Sequence, residues 1–224
     1  MGFDYMKWQT DLIKDIRFGD FRDDLDYPLH MDEFVFSETD MPIIKVRGRG
    51  EPDFSKANQS SLRHEFMKIK DQCNCIVEIG VSRSRNFEET STSILLNNKN
   101  KDCLYLGVDI EDKTYLNSDD SNIHTIQIGS EHISDVLNKL KDLGHTKIDF
   151  LFIDGWHSIN QVMQEWEYTS ILSDHGIVGF HDTAYHPGPY FFINNLDTEK
   201  WSTITNQCFN LSGDYGIGFA WKKH

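Results

Sequence analysis

The chain has 224 residues, and its 22 Lys+Arg against 36 Asp+Glu give a formal net charge of −14 at pH 7. That length suits one domain able to bury a sizeable core. The acidic balance argues against nucleic acid or an anionic membrane surface as a partner, and no apolar run approaches the roughly 20 residues of a membrane-spanning helix.

Residues 1–59 are the least regular stretch and read as an N-terminal extension. Trp8, Leu12, Ile13 and Ile16 have helical spacing. Residues 19–42 mix carboxylates with Phe21, Tyr27, Phe34 and Phe36, which suits either a surface strap anchored by its aromatics or a lid over a site. Residues 42–49 have the look of a strand and 48–52 of a turn. No charged region followed by an apolar stretch opens the chain, and Cys73, Cys75, Cys103 and Cys208 are few and scattered. Free thiols in a reducing cytoplasm are therefore expected.

From residue 60 the pattern alternates. Leu62, Phe66 and Ile69 predict a helix leading into a first strand at Cys75–Ile79, with Gly80 opening a turn. Ser/Thr-rich residues 90–93 start a second helix. Residues 103–108 form strand two, ending at Asp109. Residues 123–128 form strand three, ending at Gly129-Ser130. Ile133, Val136, Leu137 and Leu140 line a helix face that Gly144 closes.

Residues 148–183 are the stretch around which the chain is organised. Ile148–Ile153 is short and nearly all apolar, as a strand buried on both faces should be, and Asp154 stands at its end. Ser158 and Gln161 have capping-box spacing, and Ile159, Val162, Met163 and Trp166 fall on one helix face. Gly176 is expected to stop that helix as a left-handed cap. Residues 177–180 then run as a strand into His181-Asp182-Thr183. The turn around His186 and Pro187 reads as rigid. Residues 201–208 and 216–221 form two last strands, a close pair that implies a hairpin. The expected fold is α/β, a Rossmann-like, doubly wound, mostly parallel sheet of about seven strands with an antiparallel C-terminal strand. Its domain spans 60–224.

In such a sheet the C-terminal strand ends share one rim, where ligands bind. Asp154, His157, His181 and Asp182 should converge there as a metal and acid–base site. Glu78, Gly80 and Asp109 add a cofactor reading, because a glycine after strand one admits a ligand and a carboxylate after strand two can bind ribose hydroxyls. Ser82 and Arg85 stand where a dinucleotide fingerprint needs glycines, and no Walker loop is present. A nucleoside without a pyrophosphate fits best, with S-adenosylmethionine the obvious candidate.

Val77-Glu78-Ile79-Gly80, Val108-Asp109, the stretch Phe152-Ile153-Asp154-Gly155-Trp156-His157 and the stretch Val178-Gly179-Phe180-His181-Asp182-Thr183 together resemble class I S-adenosylmethionine-dependent methyltransferases. The last two resemble most the small-molecule O-methyltransferases related to macrocin O-methyltransferase and the cephalosporin-hydroxylase-like proteins. The resemblance implies that Glu78, Gly80, Ser82, Asp109, Ile110, Gly129, Ser130 and Asp154 hold S-adenosyl-L-methionine. It implies that Asp154 and Asp182, with His181 beside them, hold a divalent metal (Mg²⁺ or Mn²⁺), and that His157 is the general base. The implied acceptor is a hydroxyl of a small molecule or sugar, and a homo-oligomer is compatible with the family.

Two departures stand out. Ser82 and Ser84 replace glycines often found in the first loop, and His181 replaces the first member of an acidic pair. Mg²⁺ prefers oxygen donors, whereas imidazole suits Zn²⁺, Mn²⁺ or Fe²⁺. A metal-dependent oxygenase or hydrolase could use the same His and Asp residues, though it would not need Glu78 or Asp109. A non-catalytic nucleoside-binding module would keep Asp109 but not the rim cluster.

Overall fold

The structure, a computed structural model, describes residues 54–82, 90–157, 159–183, 187–206 and 216–224. The expectations for residues 1–53, the loop 83–89, Ser158, His186 and Cys208 lie outside those residues. Helix α1 (Lys56–Ile69) opens the described chain, straddling the boundary expected between residues 59 and 60. Ser55 caps it by accepting the Asn58 amide at 3.1 Å. Then come β1 (Cys75–Ile79), α2 (Ser91–Asn98), β2 (Leu104–Asp109), β3 (Ile123–Gln127) and α3 (Ile133–Asp142). The remaining described residues form β4 (Ile148–Ile153), α4 (Ile159–Trp166), β5 (Leu172–His181), α5 (Pro187–Asn195), β6 (Trp201–Asn206) and β7 (Ile217–Lys222).

The seven strands form one sheet in the order β3-β2-β1-β4-β5-β7-β6. Strands β1 to β5 pair in parallel, and β7 runs antiparallel between β5 and β6. The chain builds outward from β1 to β3, then returns to place β4 on β1's other side. That reversal is the switch point at which an open α/β sheet leaves a crevice above its strand ends.

Side-chain alternation assigns each face its helices. Cys75, Val77 and Ile79 pack in one layer with Val136, Leu140, Val162, Met163 and Trp166. Ile76 faces the other layer, with Leu62, Phe66, Ile69, Ile94 and Leu95. Each such fully buried side chain is worth about 1.5–3 kcal/mol over leaving it in water. Trp166 is the centre of the first layer, stacked on Phe180 at 5.9 Å and edge-on to Trp201 at 4.9 Å. Cys73, Cys75 and Cys103 are free and buried.

Two sequence expectations need correcting. Gly176 caps no helix; it lies inside β5 and is not among the glycines with positive φ. Helix α4 instead tightens into a 3₁₀ turn, Glu167–Ile171, closed by Thr169 Oγ1 donating to the Trp166 carbonyl at 2.7 Å. Strand β5 then starts as early as Leu172, opposite Ile148, and a register irregularity absorbs the residues before Ile177 pairs with Phe150. The second correction is α5, which occupies what the prolines had suggested was only a turn. Proline is tolerated in a first helical turn, where its missing N–H would have had no partner. Phe191, Phe192 and Ile193 of that helix are buried.

Candidate active site

Strands β1, β4 and β5 end side by side, and each hands its next residue to the crevice. The Asp154 amide donates to the Ile79 carbonyl at 2.8 Å, and the Gly80 amide to the Val108 carbonyl at 2.9 Å. Gly80 has φ +81°, and a Cβ there would stand 2.0 Å from the Asp154 carbonyl oxygen. Glycine is thus required by the protein's own backbone, whatever ligand lies above it. After β5 the backbone turns sharply: Asp182 takes φ +58°, a left-handed conformation that non-glycine residues adopt at a cost.

These turns bring Asp154, His157, His181 and Asp182 together. His181 Nδ1 lies 2.9 Å from Asp154 Oδ1 and 3.2 Å from Asp182 Oδ1. His157 Nε2 lies 2.9 Å from Asp182 Oδ2 and 3.8 Å from Asp154 Oδ1. Asp154, His181 and Asp182 offer ligand atoms within 4.8 Å of one another, close enough to hold one cation. His181 is buried, while Asp154 and His157 keep about a fifth of their side chains exposed (21% and 18%), so the cluster opens toward solvent on their side. Burial alone would lower the His157 pKa, but the Asp182 carboxylate, joined by Asp154, outweighs it and leaves the imidazole more basic than usual.

The residues expected around the cofactor fall into two groups. Asp109, after β2, accepts the Val81 amide on Oδ2 at 2.9 Å and the Glu111 amide on Oδ1 at 2.8 Å. It therefore ties the loop after β1 to the loop after β2, with Ile110 exposed beside it. The Ser82 amide donates to Thr92 Oγ1 at 3.1 Å. Glu78, by contrast, is fully buried: it accepts Ser91 Oγ at 2.6 Å and the Tyr105 hydroxyl, and burial raises its pKa to about 7. At the end of β3, the Ser130 hydroxyl turns inward, donating to Glu165 Oε1 at 2.6 Å and accepting Gln161 Nε2 at 2.7 Å. A Cβ on Gly129 would meet the Glu131 carboxylate at 2.5 Å. Trp156 is 39% exposed at the rim.

Several residues that shape this rim were not expected. Glu165, buried under Gly155, joins Ser130 and Gln161 in one hydrogen-bonded group, and the i, i+4 spacing of Gln161 and Glu165 was the only sequence hint. Lys113 is buried against Asp109 at 3.9 Å and reaches the Ser82 carbonyl at 3.3 Å. Asn58 contacts His181 across 123 residues of sequence, a pairing no local pattern could reveal.

The Methyltransferase domain family model matches residues 88–183, the stretch that runs from α2 through the two rim strands. Among solved structures, the chain is similar to the MycE methyltransferase of the mycinamycin biosynthetic pathway in complex with Mg and SAH. That match has 17% identity and a TM-score of 0.51, and covers 73% of this chain and 48% of that one. This chain thus spans about half the length of MycE. It is also similar to an rRNA-methylase-like protein from Clostridium thermocellum, with 17% identity, TM-score 0.51, and coverage of 73% of this chain and 97% of that one. A third match is the fibrillarin pre-rRNA processing protein of Methanococcus jannaschii, with 12% identity, TM-score 0.52, and coverage of 85% and 87%. No curated protein sequence matches the chain significantly. At these identities the structural likeness establishes the Rossmann-like methyltransferase fold, which serves both small-molecule and RNA acceptors in proteins so named.

Proposed function

We infer that this chain belongs to the class I S-adenosylmethionine-dependent methyltransferases, and we propose that it methylates a hydroxyl of a small molecule or sugar. The observation that carries the finer reading is the cluster of two carboxylates and two imidazoles above β4 and β5. A sulfonium methyl is already activated, so the protein's task is to align it and to take the acceptor's proton. The acceptor oxygen attacks the methyl carbon, the carbon–sulfur bond breaks toward sulfur, and S-adenosylhomocysteine leaves. The proton arrives at His157 Nδ1, because Nε2–H faces Asp182 Oδ2 at 2.9 Å, and that carboxylate holds the imidazolium that results. Asp109, Gly80 and the Gly129-Ser130 turn are the residues proposed to frame the cofactor, with Ile110 beside Asp109, while Trp156 at the rim offers an aromatic face to a sugar or ring acceptor.

The donor set of Asp154, His181 and Asp182 fits a divalent cation, and its imidazole favours Mn²⁺, Fe²⁺ or Zn²⁺ over Mg²⁺. When bound, such a cation supplies positive charge that stabilises an acceptor alkoxide. The net charge of −14 supports a small acceptor over a polyanionic one.

Labelled S-adenosylmethionine with a panel of sugar and phenolic hydroxyls, assayed beside an RNA transcript, tests the acceptor class. Transfer to a hydroxyl panel member is the expected result, and transfer to RNA alone would overturn it. Activity that survives a saturating chelator would remove the cation from the mechanism.

A further inference from the structure

Asn58 is fully buried in the first turn of α1, and its Nδ2 lies 3.3 Å from His181 Nε2. Its Oδ1 is buried with no hydrogen-bond partner among the described residues. The other ring nitrogen of His181 faces the Asp154 and Asp182 carboxylates, and the ring of Phe54 covers the imidazole at 4.9 Å. Ionised carboxylates only accept hydrogen bonds, so without a cation Nδ1 carries the proton and Nε2 accepts from the Asn58 amide. A nitrogen that ligates a metal needs a bare lone pair. Nδ1 can then serve only if its proton leaves and one is bound at Nε2, with no net change in protons. A primary amide is suited to that exchange, since turning it over presents Oδ1 to Nε2–H.

We propose that Asn58 is a positioning residue that sets which nitrogen of His181 carries the proton, and so lets the cluster alternate between a hydrogen-bonded triad and a metal-binding site. Only the second half of the proposal rests on the metal reading of the cluster. Its first half, the tautomer of the ion-free protein, stands independently. The unpartnered Oδ1 is the atom that gains a hydrogen bond in the metal-bound arrangement. This resembles the carboxylate or carbonyl that orients a ligating histidine elsewhere, but with a group that serves both states.

The test combines ring-nitrogen NMR of His181 with calorimetric titration of Zn²⁺ and Mn²⁺, using His181→Gln to assign the signals. In the ion-free wild type the proton should sit on Nδ1, and Zn²⁺ should move it to Nε2. Asn58→Asp offers only an acceptor, so without metal it should put a proton on Nε2 while Nδ1 keeps the one its two carboxylates hold, and cation binding should then release that Nδ1 proton. Asn58→Leu removes both options and should weaken cation binding about 10–100-fold. An Nε2 that stays without a proton in ion-free Asn58→Asp would overturn the proposal, whether or not Asn58→Leu folds. If the wild type binds neither cation, the metal reading fails; a proton that still appears on Nε2 in Asn58→Asp would then leave the positioning role of Asn58 intact.

Discussion

His157 Nε2 and Asp182 Oδ2 stand 2.9 Å apart, joining the loop after β4 to the loop after β5. A carboxylate in that position stabilises the protonated ring, so the base is strengthened and its neutral form appears only at higher pH. His157→Ala should lower kcat by about 10²–10⁴-fold while leaving cofactor affinity nearly intact. The wild-type rate should rise with pH through a pKa above 6.5, and the variant should lack that limb. Rate–pH profiles of both proteins check this. If His181→Ala shows the loss and His157→Ala keeps full kcat, the base lies on β5.

Asp109 spends both carboxylate oxygens on backbone amides, those of Val81 and Glu111. Replacing it should therefore disturb two loops at once. Asp109→Ala is expected to weaken S-adenosylhomocysteine binding by about 1–3 kcal/mol. Calorimetry on the folded variant is the measurement, and an unchanged affinity would take Asp109 out of the cofactor site.

Glu165 is buried, and its pKa is raised from 4.5 to about 7 chiefly by desolvation. A carboxyl held neutral in the folded state stabilises fully below its unfolded value of 4.5, and that contribution is lost as pH rises to about 7. At about 1.4 kcal/mol per pH unit, the loss is on the order of 3 kcal/mol. Urea denaturation at pH 5 and pH 8 should show the wild type falling more than Glu165→Gln, which keeps an acceptor for Ser130 and Gln161. Parallel falls in both proteins would assign the pH dependence elsewhere.

Gly80→Ala combines a left-handed φ with a Cβ placed 2.0 Å from the Asp154 carbonyl oxygen. Strain and overpacking together should cost about 2–5 kcal/mol. A thermal melt showing less than a few degrees of change would mean that the loop moves aside freely.

The sheet was legible in the sequence because burial on both faces leaves an unmistakable apolar run. Ile148–Ile153 begins and ends where its composition predicts. Strand-end carboxylates were legible for the same reason, since Asp109, Asp154 and Asp182 each stand at or just past the end of such a run. Gly176 misled because a glycine after a helical pattern most often caps it, whereas here the 3₁₀ turn had already ended the helix. Pro187 and Pro189 hid α5, since two prolines favour a turn until tertiary packing on Phe191 and Phe192 decides otherwise. The contacts of Asn58 and Lys113 depend on distant chain segments meeting, which periodicity does not encode.

The antiparallel strand has a consequence for synthesis. His181 pairs in register with Ile217, so the strand that carries half of the rim cluster has its outer neighbour in the last of the seven strands to leave the ribosome. Until then β5 has a bare row of backbone donors and acceptors, the kind of edge that recruits other chains. Translation therefore passes through a stage in which the parallel part of the sheet can pair and the strand that supports the chemistry is still unflanked. A chain ended after Asn206 should be inactive and should aggregate faster than the whole protein, as light scattering would show. Completion of the hairpin is thus a checkpoint on activity set by the order in which the strands are made.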